Sequence, residues 1–127
     1  MKKKEIYNLT QHEVSERQRQ FQIVEIEDKE YIKSLLTFDH KPSQNEIECR
    51  AKGIAEYAEE IGAREVLIGG APYLMSSLIE KLEEKGRIPY YAYSERKSVD
   101  EVLDDGRVVK YLIFDMTGLI PCIFSKK

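Results

Sequence analysis

The sequence predicts an α/β fold of the Rossmann-like, three-layer kind: a mostly parallel sheet with a C-terminal antiparallel hairpin. Three observations carry this. Val66-Leu67-Ile68 is a short unbroken apolar run, the pattern of a strand buried on both faces. A helical stretch opened by Pro72 and closed by Gly86 follows, and then the β-forming string IPYYAYS, which completes a strand–helix–strand unit. Last, Asp105-Gly106 stands between two apolar runs, a strong hairpin signal.

Size and composition set the frame. A chain of 127 residues is one domain's worth, 1–127, and can bury one core. Hydrophobic residues at 42% and charged residues at 34% describe a folding chain rather than a disordered one. The net charge of -3 argues against a duplex nucleic-acid partner, which calls for a basic face. Lys2, Lys3 and Lys4 read as a solvated terminus. No apolar stretch follows them, so neither an export signal nor a membrane span is expected and the location expected is cytoplasmic. Cys49 and Cys122 are far apart and read as reduced thiols; no metal site and no cofactor is implied.

The elements follow in order. Residues 5–10 (EIYNLT) are rich in β-formers and predict a first strand. Ser15 with Gln18 has capping-box spacing and opens a short polar helix anchored by Val14 and Phe21. Residues 22–26 alternate polar and apolar, as a second strand does. Asp28 caps a short helix with Ile32, Leu35 and Leu36 on one face. Ser43 with Glu46 opens the clearest helix: Ile47, Ala51, Ile54, Ala55, Ala58 and Ile61 form a continuous stripe, and Gly62 stops it. Gly53 lies mid-helix, where it can let another backbone approach. After the 66–68 run, Pro72 suits a first helical turn, and Leu74, Met75, Leu78, Ile79 and Leu82 make the helix's apolar face. Strands are expected at 88–94, 99–103 and 107–114, with a turn at Thr117-Gly118 before a last segment, 119–124.

In open α/β sheets ligands bind outside the carboxyl ends of the parallel strands. Three groups are expected to meet on that rim. The first is Asn8, Thr10, Gln11 and His12. The second is Gly69, Gly70, Ala71 and Tyr73, where a glycine loop feeds a helix N-terminus suited to an anion. The third is Ser94, Arg96 and Ser98, with Arg96 able to grip phosphate at two points. His12 is the candidate general acid or base, since an ordinary imidazole titrates near neutrality. Tyr7, Tyr73, Tyr91 and Tyr93 can stack on a base or pack the core. His40 shows no partner pattern and is expected to be exposed. Asp104-Asp105 reads as turn chemistry.

The same residues carry a resemblance. NLTQH at 8–12, IGGAPYLM at 68–75, YAYSERKS at 91–98 and DGRVVK at 105–110 resemble a family of small, mostly uncharacterised bacterial proteins, and the likeness covers most of the chain. It brings no activity with it. More distantly, a first strand ending in NLTxH is similar to small CRISPR-associated ring nucleases with a CARF-like Rossmann fold. That resemblance implies a homodimer binding a cyclic tetra-adenylate at a shared carboxyl edge.

Two readings therefore stand side by side. In one, the chain is a nucleotide-binding Rossmann-like domain and a metal-independent ring nuclease of cyclic oligoadenylate. His12 and Arg96 are then catalytic, Gly69 and Gly70 supply N–H groups, and the partner is a small nucleotide-type anion. In the other, it is a non-enzymatic accessory or interaction protein of a mobile element or defence system, with the apolar arm at 108–114 used for packing or dimerisation. The residues alone do not choose whether a reaction is catalysed.

Overall fold

The computed structural model describes residues 5–122, and of Phe114 the backbone only. The basic run at 2–4 and the end of the 119–124 segment lie outside the described residues. Among the described residues nine elements follow one another: β1 (Ile6–Asn8), α1 (Glu16–Arg19), β2 (Ile23–Val24), α2 (Lys29–Leu36), α3 (Gln44–Glu60), β3 (Glu65–Leu67), α4 (Pro72–Glu84), β4 (Ile88–Val102) and β5 (Val108–Pro121).

The fold is mixed α/β. A five-stranded sheet in the order β2-β1-β3-β4-β5 is parallel except for β5, which returns antiparallel on β4. The chain leaves β1 for β2 on one side, then crosses back to β3 on the other. The switch point therefore lies between β1 and β3, where Asn8 stands opposite Leu67.

Helix starts follow the caps read from sequence. Ser15 accepts from Gln18 N and the Gln18 side chain answers, a complete capping box. Asp28 accepts from Tyr31 N, and Ser43 from Glu46 N. Gly62 and Gly86 sit at φ +73° and +71° just past α3 and α4. The mid-helix Gly53 leaves room for a side chain of α2: a Cβ there would meet Leu35 Cδ1 at 3.3 Å.

Most of the core lies on one face of the sheet. Val66, Ile68 and Leu9 pack there with Ile32 and Leu36 of α2, the stripe of α3, and Leu74, Leu78 and Leu82 of α4. The strand period sends Ile6 and Leu67 to the opposite face. There they meet a smaller cluster with Val14, Ile23 and Met116, flanked by Phe21 and Leu119. Glu65 is buried and accepts a 2.7 Å hydrogen bond from the Tyr90 hydroxyl across β3–β4.

The C-terminal part departs from the expected strands. The segments at 88–94 and 99–103 are one continuous strand, β4, and the chain does not turn at Thr117-Gly118. Cross-strand pairing overrides local composition: β4 and β5 stay in register from Tyr90↔Pro121 to Val102↔Val108, with a bulge at Tyr93/Ser94 absorbing the mismatch near Gly118. The Asp105-Gly106 turn forms as expected, with Gly106 at φ +89° and Leu103 N donating to the Arg107 carbonyl. Only Ile88, Pro89 and Tyr90 of β4 also pair with β3, so the rest of the hairpin is a two-stranded ribbon.

Cys49 is exposed and Cys122 buried, and neither is bridged. No helix among the described residues is long and apolar enough to cross a membrane.

Candidate functional site

The loop after β1 is built on Asn8, which is fully buried. Its Oδ1 accepts from Thr10 N at 3.1 Å and Thr10 Oγ1 at 2.7 Å. Its Nδ2 donates to the His12 carbonyl at 2.7 Å and to Glu25 Oε1 at 3.1 Å. Lys29, at the start of α2, donates to the Thr10 and His12 carbonyls, both at 2.7 Å, and to Glu25 Oε1 at 2.9 Å. Glu25 also accepts from Val14 N at 2.9 Å. Burial alone raises the Glu25 carboxyl, but the Lys29 and Val14 hydrogen bonds outweigh it and hold the group below its ordinary range. Asn8 and Thr10 thus shape the loop, while the side chains of Gln11 and His12 are exposed on its outside.

This loop meets the glycine turn after β3. A Cβ on Gly69 would lie 3.5 Å from Thr10 Cγ2. Gly70 takes φ +154°, which a side chain rarely adopts, and a Cβ there would meet Met75 Cε at 3.4 Å and Leu36 Cδ2 at 3.6 Å. Ala71 stands at the N-cap of α4 and its side chain makes no capping hydrogen bond, while Leu74 N and Met75 N donate to its carbonyl.

Ser94, Arg96 and Ser98 do not join these two segments. They pair with Met116, Phe114 and Leu112 along the ribbon. At about 3.3 Å per residue they stand roughly 13, 20 and 26 Å of strand beyond Tyr90, where β4 leaves β3. The ribbon's base is tied to the α1 side: Arg17 Nε donates to the Met116 carbonyl at 2.8 Å, and Arg17 and Lys97 flank Asp115 at 3.5 and 2.9 Å. Two of the three groups expected on one rim meet there, and the third is carried away by strand continuity.

The sequence reading missed a different neighbour on this rim. The connection from α2 to α3 folds back over the start of α4, and a cleft of about 540 Å³ opens between them. Phe38, Asp39, His40, Lys41, Pro42, Ile47 and Tyr73 line it. Phe38 and Tyr73 stand edge to face with ring centroids 5.3 Å apart. Arg50 lies over Phe38 at 4.2 Å, donates to the Thr37 carbonyl, and reaches Glu46 at 2.8 Å, so the loop is pinned to α3.

His40 is exposed, as expected, but it has partners: Asp39 Oδ1 at 2.5 Å and Glu46 Oε1 at 3.2 Å. The Asp39 hydrogen bond first, and Glu46 second, raise the imidazole above its ordinary value, and the same contact with His40 lowers Asp39. The cleft therefore combines two aromatic walls, an imidazole biased toward its cation, and Lys41. A helix-to-helix loop holding Phe, His and Lys just ahead of a capping serine was the available sequence signal.

No curated protein and no solved structure matches the chain. A family model matches residues 4–118, nearly the whole length and all four strings noted above. On that match the chain belongs to the uncharacterized protein MJ1673 family.

Proposed function

We propose that this chain is a Rossmann-like ligand-binding domain that takes a nucleotide-type anion at the carboxyl edge of its sheet. In support of that reading, α2, α3 and α4 pack on one face of the sheet, and Val14 and Phe21, which flank α1, pack on the other. The observation that carries the proposal is the cleft between the α2–α3 connection and the start of α4, lined by Phe38, Tyr73, His40 and Lys41. Its volume falls within the ~300–1,000 Å³ common for small-ligand sites. Aromatic faces suit a base, and the cations His40 and Lys41 near the start of α4 suit a phosphate.

The narrower reading is cleavage of a cyclic oligoadenylate without metal. A ribose 2′-hydroxyl attacks the adjoining phosphorus, a 2′,3′-cyclic phosphate forms, and the 5′-oxygen leaves with the proton. His12 moves the proton, and the Gly69 and Gly70 N–H groups meet the developing charge. Arg96 lies along the ribbon, roughly 20 Å of strand beyond Tyr90, and takes no part in this reading. The second reading, a non-enzymatic interaction protein, is favoured by the ribbon's exposed apolar side chains.

Thermal unfolding of the full chain with AMP, ATP, cyclic tetra-adenylate or inorganic phosphate tests the proposal. A nucleotide at 100 times its Kd adds about 2.7 kcal/mol of stability. Tyr73→Ala and Lys41→Ala are expected to weaken the response at least tenfold, and Lys110→Ala to leave it unchanged. A melting temperature that none of the four compounds moves would overturn the binding reading. Binding without turnover of cyclic tetra-adenylate would remove the nuclease reading alone.

A further inference from the structure

We infer that a second copy of this chain pairs along the open edge of β5, so that two ribbons form one four-stranded interface. Among the described residues β5 is the edge strand of the sheet, with β4 on one side only. Its outer half is apolar on both faces of the ribbon. Val108 (58% exposed) and Leu112 (58%) lie on one face beside Val102 (69%). Val109 (39%), Tyr111 (43%) and Ile113 (40%) lie on the other. An unpaired apolar edge invites strand addition and is normally covered. A two-stranded ribbon is also only marginally stable alone.

The charge pattern selects a like partner. Residues 94–113 carry five acidic and four basic side chains, interspersed along both strands. A ribbon built for a strongly charged partner would carry one sign, whereas this one meets a copy of itself without net repulsion. Strand addition by a copy is naturally two-fold and closes on itself.

Pro121 and the register set the position of the axis. Pro121 has no N–H to offer, which blocks pairing at the ribbon's base and leaves the distal half as the available edge. An antiparallel pairing with its axis at Tyr111 sets Val109 opposite the second copy's Ile113. The same register brings Arg107 opposite the second copy's Asp115 at each end. Shifting the axis to Leu112 would set Asp115 opposite Val109 instead. From Ser94 to Val102 the ribbon runs about 26 Å and is two strands wide. Edge and face together bring the buried area toward the ~800 Å² per partner of a stable association.

Sedimentation equilibrium of the full chain between 1 and 100 µM tests this. The wild type is expected to be a dimer, and Leu112→Glu to raise its dissociation constant at least tenfold. Position 112 is more than half exposed, so the variant's far-UV circular dichroism should match the wild type. Tyr111→Cys in a Cys49→Ser background places a thiol on the axis and is expected to give a disulfide-linked dimer on mild oxidation, whereas Lys97→Cys in that background is not. A wild type that stays monomeric at 100 µM would overturn the inference. So would a dimer unaffected by Leu112→Glu, or cross-linking equal at positions 111 and 97.

Discussion

Asn8 Oδ1 receives both the backbone N–H and the hydroxyl of Thr10, at 3.1 and 2.7 Å, in a site closed to water. A polar residue at the end of the first strand thus ties the loop that follows it. Asn8→Ala removes an acceptor and a donor that together make four hydrogen bonds. Each buried group left without its partner costs about 1–3 kcal/mol. The expected loss in urea unfolding is about 2–3 kcal/mol, whereas Gln11→Ala, on the outside of the same loop, should stay within about 0.5 kcal/mol.

The two glycines after β3 should respond differently to the same change. Gly70→Ala forces a side chain into φ +154° and against Met75, and is expected to cost about 1–3 kcal/mol. A methyl at Gly69 meets Thr10 Cγ2 at an ordinary 3.5 Å without that φ constraint and should be tolerated. Equal losses at 69 and 70 would show that the backbone angle is not what matters.

His40 gives the α2–α3 loop a signed pH dependence. Its imidazole is raised above 6.5 in the folded chain, by Asp39 first and Glu46 second. The stabilisation it brings is therefore fully present below about pH 6.5 and fades as pH rises through the higher folded value. Asp39 and Glu46 are lowered, so theirs is present above the ordinary carboxylate range and fades as pH falls through their folded values. Unfolding free energy of wild type against His40→Ala, measured from pH 5 to 9, should differ most at the acidic end of that range. A constant difference across it would contradict this assignment.

Tyr90 bonds a buried carboxylate. Its hydroxyl donates to Glu65 Oε1 at 2.7 Å; that hydrogen bond, with burial second, raises the phenol above its ordinary value. Tyr90→Phe keeps the ring and removes the donor, and is expected to cost about 1.5–3 kcal/mol, the range for a hydrogen bond to a charged group. Urea unfolding reads the loss directly.

Much of the scaffold was legible because caps and burial leave marks in sequence. Ser15, Asp28 and Ser43 start their helices through short side chains that accept from the first turn, and the five apolar residues expected inside α4 are the five it buries. The ribbon was not legible as one piece. Beyond Ala92 neither face of β4 is deeply buried, so no alternation of apolar and polar residues records the strand through Glu95-Arg96-Lys97. Gly118 looks like a turn residue but pairs with Tyr93 beside the bulge. On the rim, Asn8 and Thr10 were visible as polar residues after a strand, a pattern that suits a ligand contact or a self-tied loop equally. The cleft at Phe38 and Tyr73 joins residues 35 positions apart through the fold of a helix connection, which no local pattern encodes.

β4 belongs to two structures at once. Its first three residues are an inner strand of the parallel sheet, held by Pro89 deep in the interior and Tyr90 on Glu65, and the same strand continues to the hairpin tip. No loop separates the two parts, and the bulge at Tyr93/Ser94 marks their join. A pull or twist at Asp104-Asp105-Gly106 therefore travels along one extended backbone into the middle of the sheet, next to β3 and the glycine turn that follows it. The ribbon is a lever arm whose fulcrum is the core itself.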